Sequence, residues 1–433
     1  MSSLFVLVSD QPGPVPDSLS SIVKDYDAKG GYRLAGVADG RFLPEGAASS
    51  ILSDMSASNV VLQFSRSASH QPGPETGIFI DAPTCRPDLL TGIHRFVSSD
   101  LTQDPPSSLF GVFASDGPNG VVIGRDGLGT RPIFRGENRA LAYASEPRLL
   151  EMTGFGGIEA VRPGTVVDAQ TQDKLQLTSP VTEQPDPSTT DLGRMEQELR
   201  LAIEAVPAPR AVFFSGGIDS LILAKISCES GETVLVTAGM RESKDLKRAQ
   251  SAAIALDSVL ETVEIGVSDI QSALEILPSV TRERNLINLS VSLPILLAAR
   301  RCRQMGMEYG ISGQGADELF GGYHRYLSDD APEESMRRDL LGLHARGMTA
   351  FDLAARSQGV ETILPYLDQR FLRHALGVPI RSKISGRRRK VILRQLGLEL
   401  GIPGRLVRAK KTAIQYGSGV NKYVKKIYRR SRA

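Results

Sequence analysis

"AVFFSGGIDSLILAK", residues 211–225, decides the fold of the larger part of this chain. Four apolar residues lead into Ser215, Gly216 and Gly217, then Asp219 and Ser220, and then directly into an apolar-periodic stretch. That order reads as a strand, a tight turn and a helix. In a doubly wound sheet, ligands gather beyond the carboxyl ends of the strands, where such a turn feeds a helix N-terminus. Paired glycines let the backbone approach a phosphate, the free N–H groups of the first helical turn point at it, and the two hydroxyls add donors. Asp219 would repel a phosphate unless a Mg²⁺ lay between them, so the residue is assigned to metal. The Walker pattern G-x-x-x-x-G-K-S/T does not occur in the chain. An ordinary Gly-Gly turn with a Ser or Asp cap is the plainer reading of the same letters.

Outward from this turn the chain divides. At 433 residues it is too long for one core, and domain sizes predict two or three. Residues 1–177 read as short alternating strands broken by Gly and Pro, such as "SNVVLQF", "LFGVFAS" and "GVVIGRD". A Pro-, Ser- and Thr-rich stretch without apolar periodicity, 178–192, is expected to be a linker. From 193 to 433, strands such as "TVLVTAG" alternate with helical stretches such as "VSLPILLAARRCRQMG", which predicts βα units and a parallel, doubly wound sheet.

Composition narrows the class. The hydrophobic share of 41% is that of a globular protein, and no apolar run reaches the ~18 to 20 residues that span a bilayer. A soluble, cytoplasmic protein with no membrane partner is expected. Cys85, Cys228 and Cys302 are far apart with no CxxC or Cys/His spacing, which argues against a disulfide framework or a zinc site. The net charge of +2 conceals an asymmetry: from Arg381 to Ala433 there are 17 Lys or Arg against one acid, Glu399. That points to a phosphate-bearing ligand, an acidic partner or RNA near the C-terminus, with a solubilising tail as the plain alternative. Tyr416, Tyr423 and Tyr428 are candidates to stack on bases, or else core or interface residues. A homodimer fits this reading as well as a monomer.

The S-G-G-x-D-S pattern resembles the pyrophosphate-binding loop of the ATP pyrophosphatase superfamily. A second loop, "YGISGQGADELFGGYHRY" at 309–326, repeats its chemistry and closely resembles the signature of asparagine synthetases. The similarity continues through "GVETILPYLDQRFLRHAL", "RRKVILRQ" and "RAKKTAIQYGSG". The resemblance implies ATP and Mg²⁺ as cofactors and the activation of a carboxylate as its adenylate. Carried over residue by residue, it implies that Phe213, Ser215, Gly216, Gly217, Asp219 and Ser220 hold the nucleotide and its pyrophosphate. Ala238, Gly239, Ser312 and Gly313 would line the adenine and α-phosphate, Asp219 and Asp317 would bind Mg²⁺, and Lys390 and Arg394 would lie near the phosphates. Lys410 would stabilise negative charge on the adenylate. Asp245 either binds substrate or caps a helix.

Gln314 stands where asparagine synthetases usually carry Glu and β-lactam synthetases Tyr, and a neutral amide cannot act as a base. Asp352, in a position often acidic in the family, is by that resemblance the candidate to take the proton from the attacking nitrogen, a helix-start acid being the other reading. Residues 1–165 resemble the class II glutamine amidotransferase domain, an αββα sandwich of the N-terminal nucleophile type that precedes the synthetase domain in this family. That domain uses an N-terminal cysteine. Here the second residue is Ser2 and no cysteine precedes Cys85, so a degenerate domain without glutaminase activity is expected. The activity expected is an AMP-forming ligase that joins a small carboxylate, aspartate or a relative, to ammonia or another amine. The same chemistry on another substrate, by ring closure or on RNA, and an inactive nucleotide-binding regulator are the alternatives.

Overall fold

In a computed structural model the described residues are 2–14, 33–38, 41–43, 56–65, 78–81, 112–117, 120–177, 179, 181–182, 190–409 and 417–430. The chain forms two compact units, Met1–Ser179 and Pro180–Ala433.

The first unit is built on two antiparallel sheets. One has seven strands: β1 (Ser2–Pro14), β2 (Arg33–Ala38), β3 (Arg41–Leu43), β4 (Ser56–Ser65), β8 (Phe134–Glu137), β9 (Leu141–Ala144) and β10 (Gly156–Ala160), in the order β10-β8-β9-β1-β4-β2-β3. The other has five: β5 (Ile78–Asp81), β6 (Val112–Gly117), β7 (Gly120–Arg125), β11 (Thr165–Asp168) and β12 (Lys174–Gln176), in the order β12-β11-β7-β6-β5. Alternate residues of both sheets share one core, in which Leu4, Val6 and Val8 of β1 and Val61 of β4 meet Val121 and Ile123 of β7. This is period-2 burial between two facing sheets. The described residues of this unit include the short α1 (Pro147–Met152).

The second unit opens with α2 (Leu192–Glu204), capped by Asp191, whose side chain accepts from the Arg194 amide at 2.9 Å. A five-stranded sheet comes next: β13 (Arg210–Phe213), β14 (Thr233–Met240), β15 (Leu260–Ile265), β16 (Tyr309–Ile311) and β17 (Glu361–Ile363), in the order β15-β14-β13-β16-β17. Every neighbouring pair is parallel. β13 and β16 are buried along their whole length, as expected of strands covered on both faces. The helices that follow α2 include α3 (Ile218–Ser230), α4 (Lys244–Ala255), α5 (Val267–Thr281) and α6 (Leu286–Gln304), then α7 (Ala316–Leu319), α8 (Pro332–Leu341), α9 (Met348–Arg356), α10 (Gln369–Gly377), α11 (Val391–Glu399) and α12 (Val420–Arg430). From β13 the chain moves one way to β14 and β15, then crosses to β16 and β17 on the other side. The crevice beyond the ends of β13 and β16 is therefore the topological switch point where open α/β sheets bind ligands. No helix among the described residues is long and apolar enough to cross a membrane.

Candidate active site

The turn after β13 is held by its own hydroxyls. Ser215 Oγ and Ser220 Oγ lie 3.3 Å apart, the Ser215 amide donates to Ser220 Oγ at 3.3 Å, and Ser220 Oγ donates to the Gly217 carbonyl at 3.1 Å. Gly216 is left-handed at φ 67°, and a Cβ there would meet Arg248 main-chain atoms at 3.1 Å. Glycine is thus required twice over. Arg248 of α4 donates to the Ser215 carbonyl at 2.8 Å and to Asp245 at 2.7 Å. The N-cap of α3 is Gly217, which supplies no side-chain cap, so the amides of the first turn are left for a ligand. They meet a small basic pocket lined by Gly216, Arg248, Arg389, Lys390 and Arg394. Burial lowers the Arg394 pKa, yet a guanidinium stays charged in proteins.

The turn after β16 lies against the first. A Cβ on Gly313 would stand 3.1 Å from Asp219 Cβ, and Gly315 is left-handed at φ 88° beneath Leu367. The Ser312 amide donates to the Ile363 carbonyl of β17 at 2.8 Å. Tyr366 Oη donates to the Asp219 carbonyl at 2.9 Å. Burial, with the Asp219 charge, holds that phenol well above its ordinary pKa and keeps it a donor.

Between the two loops stands Lys390. Its ammonium is 2.6 Å from both Asp219 carboxylate oxygens and 2.8 Å from Asp317 Oδ1, with the side chain 3% exposed. Gly322 leaves the room, since a Cβ there would fall 1.7 Å from Asp317 Oδ1 and 2.5 Å from Lys390 Cε. Among the described residues no three His, Cys, Asp or Glu gather as a metal cluster. The expected metal pair is nevertheless brought to one point, and the cation on which it converges is the lysine. Two hard carboxylate oxygens beside a phosphate pocket suit Mg²⁺, which takes one or two carboxylates and completes its shell with phosphate and water.

A cleft of about 430 Å³ joins these parts. Phe213, Ser215, Gly217, Asp219, Ser220, Ala238, Ser312, Gly313, Gln314 and Asp317 all line it. Gly216 and Lys390 line the adjoining basic pocket instead. Gly239 lines neither: a Cβ there would press on Ser243 Oγ at 2.7 Å, so its smallness serves packing. Asp245 is not the helix cap, a role taken by Ser243. It lines the cleft, 3% exposed, and holds Arg248. Lys410 and Tyr416 lie outside the described residues, as does the side chain of Tyr428. Tyr423 packs against the apolar cluster of α5, α6 and α12, in line with the core alternative to its reading as a base-stacking ring.

The reading of Asp352 as the proton acceptor is corrected. Asp352 is 1% exposed and absent from the cleft lining; Thr362 donates to it and the buried Arg356 guanidinium lies 3.6 Å away. Its α9 position points it under the sheet edge at β17, so it holds α9 to β17 and does not reach the crevice. Gln314 is half-buried in the cleft and its side chain bonds to no described group. Three residues without an assigned role take part: Arg248, Arg389, which donates to the Gly322 carbonyl, and Tyr366. Tyr366 lies inside the quoted "LPYLD", but nothing in one sequence shows that its hydroxyl crosses to the first loop.

This geometry defines an α/β unit with a cleft at the switch point of its parallel sheet. Residues 206–333 and 327–432 match the family described as asparagine synthase, more than half of the chain, and the chain belongs to that family. It is 26% identical over 330 residues to the glutamine-hydrolyzing asparagine synthetase B of Escherichia coli, covering 69% of this chain and 58% of that one. It is 29% identical over 205 residues to the glutamine-hydrolyzing asparagine synthetase of Asparagus officinalis, covering 43% and 35%. The chain spans between 33% and 59% of the length of the curated relatives it matches. Among solved structures, NMN synthetase from Francisella tularensis aligns with TM-score 0.32 and 14% identity, over 55% of this chain and 86% of that one. PRPP amidotransferase from B. subtilis aligns with TM-score 0.29 and 10% identity, over 90% and 98%. Scores this low carry no argument, and the fold rests on the sheet described above.

Proposed function

We propose that the second unit is an ATP-dependent amide ligase: a carboxylate oxygen attacks the α-phosphorus of ATP, pyrophosphate leaves, and an amine then displaces AMP from the acyl adenylate. The observation that carries this reading is the convergence of Asp219 and Asp317 on one cation beside the uncapped start of α3. In that arrangement the α3 amides, with Arg248, Arg389, Lys390 and Arg394, bind the departing pyrophosphate. Ser312 and Gly313 bring the second loop against the first at the α-phosphate end. Asp219 and Asp317 would hold Mg²⁺, which neutralises phosphate charge when bound. Gln314 orients the incoming amine by accepting a hydrogen bond, and the proton passes to solvent or a product oxygen, since Asp352 is out of reach. Lys410 remains assigned to the adenylate charge. The proposed nitrogen donor is ammonia or a substrate amine in place of glutamine.

Incubation with ATP, Mg²⁺ and a panel of carboxylates tests the reading. AMP and pyrophosphate in equal amounts, stimulated by ammonium or an amine and not by glutamine, are expected. ADP and phosphate as products would sink it. A second reading, a polyanionic partner at the C-terminus, is favoured by Lys422, Lys425 and Lys426, which are exposed on α12 opposite the buried Val420 and Val424. RNA binding that weakens steeply with salt and is lost in a triple Lys→Glu variant would support it; salt-independent or absent binding would remove it.

A further inference from the structure

We propose that Tyr366 is a positioning residue for the metal-binding edge of the site: its hydroxyl, with the turn that carries it, sets where Asp219 presents its carboxylate relative to Asp317. The proposal rests on the amide-ligase reading above.

β17 ends at Ile363, and a 3₁₀ turn, Pro365–Leu367, follows it. This short segment meets both glycine-rich loops. The Ile363 carbonyl accepts from the Ser312 amide at the start of the second loop, at 2.8 Å. Leu367 packs on that loop where it turns, since a Cβ on Gly315 would fall 2.4 Å from Leu367 Cδ2. Tyr366, between them, donates to the Asp219 carbonyl in the first turn of α3, at 2.9 Å. The segment is itself stiff. Pro365 fixes a backbone torsion, the Leu367 amide donates to the Leu364 carbonyl at 2.9 Å, and the Asp368 amide donates to the Pro365 carbonyl at 3.1 Å. Asp368 then caps α10.

The Tyr366 ring is held as firmly. It stands edge-on to Phe320, 6.4 Å between centroids, and to Phe371 of α10, at 5.5 Å. Phe320 ends the short helix α7 that the second loop opens, and its carbonyl accepts from the Lys390 amide at 3.2 Å. Tyr366 and Leu367 are fully buried and line neither the cleft nor the basic pocket. The hydroxyl therefore touches no reacting group and acts through Asp219. Its bond engages the main chain and leaves both carboxylate oxygens of Asp219 facing the cation in the site. A short side chain such as aspartate goes where its main chain is put. Removing a group that holds a metal ligand from behind costs about 10- to 100-fold in metal affinity.

Calorimetric titration of the full chain with ATP at a series of Mg²⁺ concentrations reads this directly, with no acyl substrate added. Tyr366→Phe keeps the ring and removes the hydroxyl alone. The Mg²⁺ concentration giving half-maximal ATP binding is expected to rise about tenfold, with binding restored at saturating Mg²⁺. A shift of the same size is expected in the Mg²⁺ dependence of ATP–pyrophosphate exchange with any carboxylate of the panel that is activated. Phe371→Leu loosens the same aromatic packing and keeps the hydroxyl, so it is expected to lower the melting temperature and leave the Mg²⁺ midpoint where it was. An unchanged midpoint in Tyr366→Phe overturns the proposal and leaves the ligase reading standing. An equal shift in both variants overturns it too, because packing and not the hydroxyl would then set the metal requirement. A wild-type chain that binds no ATP at any Mg²⁺ concentration takes the ligase reading down as well.

Discussion

The two glycine-rich loops are alike in sequence and differ in the helices they open. Ser215 to Ser220 leads into thirteen residues of helix, whereas Ser312 to Asp317 leads into four. Only a helix of several turns gathers an appreciable positive pole at its start. On the proposed function the first loop would hold phosphate, and the second, with Gln314 and the acids Asp317 and Glu318, would position the reacting groups. Letter patterns show two phosphate-like turns; helix length is what tells them apart.

Lys390→Met tests the comparison most severely, because it leaves Asp219 and Asp317 facing each other across a buried gap. Exchange activity is expected to fall about a thousandfold, with a stability loss of roughly 3 kcal/mol. Adding Asp219→Asn is expected to recover part of that stability; strict additivity in denaturant titrations would show that the loops are not coupled through the lysine. Asp352→Asn is expected to cost about 3 kcal/mol by weakening the hold on Arg356, which is fully buried, while the pH–rate profile keeps its shape. A profile that loses one limb would return Asp352 to the chemistry.

Lys383 lies under the second loop, in a pocket with Glu318 and Leu319, and burial lowers its pKa to about 8. Below that value the folded protein carries the buried charge at full cost; between about 8 and the unfolded value of 10.5 the unfolded chain binds more protons, so stability rises with pH. Lys383→Met is expected to stabilise by about 1 to 3 kcal/mol at pH 7, an advantage that shrinks above pH 8. A constant advantage in thermal melts at pH 7 and 10 would refute the assignment. The smallest contrast is between the loops' own glycines. Gly216→Ala, at positive φ and against Arg248, should cost about 1 to 2 kcal/mol, and Gly313→Ala, which only crowds Asp219 Cβ, less. The reverse order would mean that the second loop is the more rigid.

Much of this was legible beforehand because it is local. A strand, a glycine pair and a helix start are set by neighbouring residues, and so were the parallel sheet and the place of Ser215, Asp219, Ser312 and Asp317. The features that escaped depend on pairing across long separations. Lys390 reaches Asp219 over 171 positions and Tyr366 reaches it over 147. Asp352 read as a site acid because its position is often acidic in the resembled family; only the packing of α9 on β17 shows it bonded to Thr362 and away from the cleft. For Asp245 the sequence left a substrate contact and a helix cap both open, and Ser243 two residues earlier holds the cap.

One ammonium serving both loops makes them a single moving part. On the proposed function, a magnesium nucleotide that took over the two carboxylates would free Lys390 toward the phosphates and shift the electrostatic footing of both turns together. Nucleotide binding ahead of the acyl substrate is the order expected of such a site.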